Sequence, residues 1–390
     1  MEAHSDVEKA VEAKKREMLS LLSGLIAADT SNPPGNEYRA AEVVKKFFRK
    51  NEIRYRVFER ERGRTNLLGY IGGGKPRLII ACHLDTVPPG NGWKSDPFKA
   101  KVKGGKVYGR GAVDNKGPLA GMLIAGAVLK KLEKQLKGQV IMACVADEEH
   151  GSKLGMHHLL GKGKLRGEYA IVPDIEHELK KIDVAEKGLL FLKVTSLGRQ
   201  AHGSRPDLGV NAVWNMVGFL NLFRRYRMQF RRHPLLSGPT INLGMIRGGE
   251  ATNMVPDECE VKIDIRYLPS QSSLAIMSDV KRMLEKIKRG NRSAKFRLEV
   301  IDDQKPVEVG GDNILIRSIK RHVRAVTGHD AETIGIAGTT LIKPLAGKGI
   351  VAVGFSPGEG LAHTANEYIS LGELTAFAKI LCLVCLDLRG

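Results

Sequence analysis

Leu78-Ile79-Ile80-Ala81-Cys82-His83-Leu84-Asp85 is an apolar run that ends in a histidine and an aspartate two positions apart. A short unbroken apolar run reads as a strand buried on both faces. Residues two apart on a strand share a side, so the Asp85 carboxylate is placed to hold the His83 ring. Outward from here, residues 119–132 read as a buried helix and 140–146 as a second buried strand. Strand, helix, strand predicts an α/β layered domain with a largely internal sheet. Upstream, Met18, Leu21, Leu22, Leu25 and Ile26 repeat at helical spacing, and Thr30-Ser31-Asn32-Pro33-Pro34-Gly35 stops that helix. A second helix is predicted over 37–50, with Ala40, Val44, Phe47 and Phe48 as its apolar stripe, followed by strands at 53–58 and 66–71.

The pattern changes near Gly188. Strands at 190–195, 240–246, 261–267 and 296–301 alternate with helices at 210–225 and 274–287. This is the β-α-β-β-α-β order of a ferredoxin-like domain. Beyond Lys305 the α/β character returns, with a helix at 313–326, a strand at 350–354 and a last helix at 371–386. The expected organisation is a catalytic domain in two parts, 1–188 and 305–390, interrupted by an inserted α+β domain at 189–304.

The chain has 390 residues and a net charge of +19. Such a charge invites a nucleic-acid or anionic-surface reading. The run Phe223-Arg224-Arg225-Tyr226-Arg227-Met228-Gln229-Phe230-Arg231-Arg232 is its best support, but it reads as the solvated edge of a helix, and no nucleic-acid motif accompanies it. Neither nucleic acid nor membrane is therefore expected as a partner. The N-terminal segment is polar and does not read as a secretory signal. No apolar run approaches the length of a membrane span. Five scattered cysteines argue for a reducing compartment, and the cytoplasm is the expected location.

Acidic and histidine residues cluster at strand ends. His83 and Asp85 follow the opening run. Asp114 lies in the Gly-flanked loop Gly109-Arg110-Gly111-Ala112-Val113-Asp114-Asn115-Lys116-Gly117. Asp147-Glu148-Glu149 follows strand 140–146, Asp174 follows Tyr169-Ala170-Ile171-Val172-Pro173, and His363 lies near the C-terminus. Strand C-terminal ends are where open α/β sheets bind ligands. The inventory suits a pair of Zn²⁺ ions held by nitrogen and oxygen, with one carboxylate bridging.

The order of motifs resembles the two-zinc amidohydrolase and peptidase family of acetylornithine deacetylase, succinyl-diaminopimelate desuccinylase, aminoacylase and glutamate carboxypeptidase. The matching segments are Ser31 to Glu37, His83 to Pro88, Trp93 with Asp96-Pro97-Phe98, Tyr108 to Gly117, Asp147-Glu148-Glu149, Ala201-His202-Gly203-Ser204-Arg205-Pro206 and the surroundings of His363. The resemblance implies a zinc-peptidase-like catalytic domain carrying a lid and dimerisation domain. It implies His83, Asp114 and Asp174 as ligands of one zinc, and Asp114, Glu149 and His363 as ligands of the other, with Co²⁺ or Mn²⁺ as possible substitutes. Glu148 is then the general base, and Asp85 orients His83. The peptide bond after Asp114 is expected to be cis. His202 is the lid histidine that stabilises an oxyanion, in its own or a partner subunit's site. Asn253 and Arg266 bind the substrate carboxylate, and Thr339 touches substrate.

The implied activity is metal-dependent hydrolysis of an amide bond in an N-acyl amino acid, within amino-acid metabolism, by a homodimer. Asp174 stands where the deacylases mostly carry Glu and resembles the dipeptidase and tripeptidase branches. A dipeptidase or carboxypeptidase activity is therefore the alternative. The loop Gly335 to Thr340 lacks the aspartate of the family's Gly-Gly-Thr-Asp loop.

Overall fold

The computed structural model describes residues 2–311 and 313–388. They form two compact units: Met1–Val184 with Val309–Ile334 and Thr340–Gly390, and Ala185–Glu308 with Gly335–Thr339.

The first unit is built on a mixed sheet. Its order is Arg54–Glu59, Thr65–Gly72, Gln139–Val145, Arg77–His83, Tyr169–Val172, Val351–Gly354 and Lys181–Glu186. The central pairs are parallel: Arg77–His83 runs alongside Gln139–Val145 and Tyr169–Val172, and Val351–Gly354 alongside Tyr169–Val172. Parallel pairing points their C-terminal ends the same way, and the acidic and histidine residues follow those ends. The helix Lys116–Lys131 is buried from Lys116 through Leu129, in keeping with its all-round apolar sequence. It packs against Lys15–Ala27 and Leu371–Asp387. Gly121 permits the latter approach, since a Cβ there would lie 2.8 Å from the Phe377 ring.

The second unit is a four-stranded antiparallel sheet, ordered Thr240–Gly248, Glu258–Tyr267, Gly188–Leu197, Lys295–Gln304. Helices Ala212–Phe223 and Ser273–Gly290 complete the β-α-β-β-α-β order. Leu190, Val194, Phe219, Val261, Ile265 and Val280 form its core. Gly188 admits no side chain, since its Cβ would meet the Tyr267 ring at 2.3 Å.

Several elements escaped the sequence reading. The polar N-terminus is a helix, Glu2–Glu12, that buries Val7 and Val11 and pairs Glu12 with Lys379 at 2.7 Å. Strands Lys101–Lys103, Lys106–Tyr108 and Tyr368–Ser370 form a small separate sheet. They are too short to show a period.

Candidate active site and metal centre

His83 closes its strand in register with Val145, which puts it level with the turn Asp147-Glu148-Glu149 that follows. Asp174 follows the neighbouring strand. Asp114 immediately precedes the buried helix, and the Asp114–Asn115 peptide is cis. His363 lies in the loop after Val351–Gly354 and takes a left-handed φ of 63°.

These side chains meet. His83 Nε2 lies 2.8 Å from Asp114 Oδ1 and 3.8 Å from Asp174 Oδ1. His363 Nε2 lies 3.2 Å from Asp114 Oδ2 and 3.2 Å from Glu149 Oε2. The two oxygens of Asp114 thus face different histidines, as a bridging carboxylate requires. His83, Glu148 and Asp174 bring one donor atom each within 4.8 Å of one another, as do His83, Asp114 and Glu149. Donors sharing a tetrahedral ion at about 2.0–2.1 Å sit roughly 3.3 Å apart, within the observed spread. The donor set of imidazoles and carboxylates therefore fits two divalent cations.

The electrostatics make the same demand for positive charge. Hydrogen bonds to Asp114 and Glu149 raise the His363 imidazole to about 10. Burial works against a charged His83, but bonds to Asp114, Asp174 and Asp85 raise it well above the ordinary histidine range. Burial pushes Asp114 up, yet His363 and His83 outweigh it and hold the carboxyl below its usual range. Glu148 is raised well above an ordinary glutamate, first by burial and then by the charge of Asp174.

Asp85 is fully buried and does two jobs. Its main-chain carbonyl lies 3.0 Å from His83 Nδ1, whereas its carboxylate Oδ1 is 3.6 Å away. With Nδ1 donating to that carbonyl, Nε2 is the nitrogen presented to Asp114. The carboxylate instead accepts from Asn32 Nδ2 (2.8 Å) and from the main-chain N–H groups of Glu148 (3.1 Å) and Glu149 (3.2 Å). It orients the ring through the main chain and clamps the acidic turn with its side chain.

Behind that turn lies a network that carried no role in the sequence reading. Arg64 donates to both oxygens of the fully buried Glu37 at 2.7 Å, and to Asp147 Oδ1 at 3.0 Å. Asp147 stands at φ 67°, and its N–H donates to Glu37 Oε1 at 3.1 Å. A second buried pair, Arg110 with Glu367, joins the Asp114 loop to the His363 loop. The sequence offered weak signals: Glu37 ends the Ser31 to Glu37 motif, and Arg110 lies between two glycines.

The other candidates lie in the second unit. His202 is exposed, and its Nδ1 is 2.7 Å from Ser204 Oγ. Gly203 N–H donates to Asn253 O at 2.7 Å, which sets Asn253 beside the His202 turn. Arg266 donates to Asp264 Oδ1 at 2.8 Å and to Thr339 Oγ1 at 3.4 Å. The structure thus groups His202 with Asn253, and Arg266 with Thr339.

Residues 79–387 match the family described as peptidase family M20/M25/M40. The chain belongs to this family. A probable succinyl-diaminopimelate desuccinylase of Staphylococcus aureus is 28% identical, covering 91% of this chain and 93% of the relative. Among solved structures, aminopeptidase PepT from Bacillus cereus aligns with a TM-score of 0.76 at 22% identity, covering 96% of this chain and 98% of that one. A dinuclear metal-binding M20 peptidase from Bacillus subtilis aligns at 0.74 and 14% identity, covering 96% and 98%. As an M20 member, the chain is a metallohydrolase acting on amide or peptide bonds, with a catalytic domain interrupted by a smaller inserted one. Among the described residues no helix is long and apolar enough to cross a membrane.

Proposed function

We propose that this M20 enzyme hydrolyses the amide bond of an N-acyl amino acid, using two Zn²⁺ ions. The observation that carries the reading is the sharing of Asp114 between His83 and His363. In this reading His83, Asp114 and Asp174 hold one ion, and Asp114, Glu149 and His363 the other. When bound, such ions acidify a water and polarise a carbonyl.

Glu148 takes a proton from the attacking water as its oxygen bonds to the amide carbon. It then hands that proton to the nitrogen as the C–N bond breaks; the second water proton passes from the new carboxylic acid to the amine, leaving a carboxylate and an ammonium. The Glu148 carboxylate brings an oxygen within 4.8 Å of donor atoms of His83 and Asp174, the position such a shuttle needs. His202 donates to the developing oxyanion. Asn253, Arg266 and Thr339 contact the substrate carboxylate and its surroundings. We further propose a homodimer formed through the inserted domain and a cytoplasmic location.

The desuccinylase relative supports a deacylase. A second reading, dipeptidase or carboxypeptidase, is favoured by Asp174 in place of glutamate. A panel of N-acetyl, N-succinyl and dipeptide substrates, assayed with Zn²⁺ or Co²⁺, separates the two. Two bound metals with no amide cleavage across the panel would sink both.

A further inference from the structure

Arg110 heads the large side chains that are fully buried, at 1% exposure. Its Nη1 donates to Thr364 O at 3.2 Å and to Glu367 Oε1 at 3.1 Å. Its Nη2 donates to Pro89 O at 2.9 Å and Pro88 O at 3.4 Å. The guanidinium carbon lies 5.1 Å from the centre of the Trp93 ring, and Trp93 Nε1 donates to Pro89 O at 2.7 Å. Glu367 is itself fully buried and also accepts from the main-chain N–H of Gly111. One cation therefore staples together the loop before Asp114, the loop after Asp85 and the loop that carries His363.

The third loop needs holding. His363 and Asn366 both take left-handed φ values, 63° and 64°, and neither is glycine. Residues in that region persist only where their surroundings over-determine them. Thr364, whose carbonyl Arg110 takes, lies between the two. Asn366 is fixed as well: its Oδ1 accepts from Lys94 N and its Nδ2 donates to Gly92 O. Arg110 also holds the loop after Asp85, but the His83 ring itself is oriented by the Asp85 carbonyl, 3.0 Å from Nδ1.

We infer that Arg110, locked by Glu367, is a positioning residue for His363, and so sets the affinity of the ion that His363 holds with Asp114 and Glu149. This rests on the metal-site reading above. Arg110 is too buried to touch substrate, so it acts through the loop. The planar fork matters: four oxygens in two segments, Pro88–Pro89 and Thr364–Glu367, take its two terminal nitrogens at once, which the single point of a lysine ammonium cannot match.

The test is metal binding by the full-length chain, stripped of metal and titrated with Co²⁺ and Zn²⁺. Calorimetry gives the equivalents and Co²⁺ absorption reports the ligand field. The wild type takes two equivalents. Arg110→Met weakens one of them by roughly 10–100-fold, the usual effect of losing a partner that orients a ligand, and spares the other. Arg110→Lys recovers part of the loss. Glu367→Gln keeps the side-chain shape and moves the same equivalent in the same direction, so the test stands even if Arg110→Met fails to fold. A folded Arg110→Met or Glu367→Gln that binds both ions as the wild type does, or weakens both alike, overturns the proposal. His363→Ala separates the two levels. If it retains both equivalents unchanged, the ligand assignment falls and the proposal with it. If it loses the equivalent that Arg110→Met spares, only the role of Arg110 falls.

Discussion

His83 and His202 are both histidines beside short turns, yet their settings are opposite. His83 is 1% exposed, with Asp114, Asp174 and the Asp85 carbonyl within 4 Å of its ring nitrogens. His202 is exposed, and its only side-chain partner among the described residues is Ser204. In the first unit His83, Asp85 and Asp114 form a buried network, from which His363 reaches out to solvent. The second presents His202 and Asn253 on open loops. A metal centre needs fixed donors before anything binds, whereas a group that meets a transition state can be completed by the substrate.

The sharpest way to break this contrast lies within the first unit. Glu148→Ala is expected to lower kcat by roughly 10²–10⁴-fold, the contribution of a positioned acid/base, while both metal equivalents remain bound. Steady-state kinetics with metal analysis checks it. Loss of an equivalent would make Glu148 a ligand, which its place within 4.8 Å of His83 and Asp174 permits geometrically.

The supporting network predicts a stability effect. Arg64→Met leaves Glu37 fully buried without its bidentate partner. Breaking such a pair costs about 3–5 kcal/mol, readable as a lower urea midpoint at unchanged slope. A loss under about 1 kcal/mol would show that water reaches Glu37 and that the network is less closed than its geometry.

His202→Ala tests the open side. Turnover is expected to fall roughly 10²–10³-fold, as when one oxyanion donor is removed. Metal content and urea midpoint should not move, since the ring is exposed and bonds only to Ser204. A change in metal affinity would erase the distinction between the two histidines.

The same contrast explains what could be read in the sequence. The buried strand ending in His83, the helix after Asp114 and the β-α-β-β-α-β run are strong periodic signals, because burial demands apolar residues at fixed spacing. The meeting of His83, Asp114, Glu149, Asp174 and His363 was legible only through the order of motifs. Spacing alone does not say that separate strand ends converge. Arg64, Glu37, Arg110 and Glu367 were not given roles, since a charged residue looks the same in sequence whether solvated or buried in an ion pair. The Glu2–Glu12 helix was missed because two valines in a charged segment make too faint a stripe.

Arg266 gives the smallest and most discriminating effect. The resemblance casts it as a bidentate anchor for a substrate carboxylate. In the structure its Nε and Nη2 already engage both oxygens of Asp264, at 2.8 and 3.2 Å, while Nη1 donates to Thr339 Oγ1 and Ala337 O, both at 3.4 Å. A carboxylate can then take one donor edge only, by displacing those two long bonds. Arg266→Lys should raise KM about 10-fold with kcat nearly unchanged, because a single hydrogen bond to a charged group contributes roughly 1.5 kcal/mol. Asp264→Asn should leave KM level or lower it, since it loosens the fork. An increase above roughly 100-fold in Arg266→Lys would mean that the fork abandons Asp264 for the substrate. The second unit would then rearrange its charges on binding, where the first has its own fixed in advance.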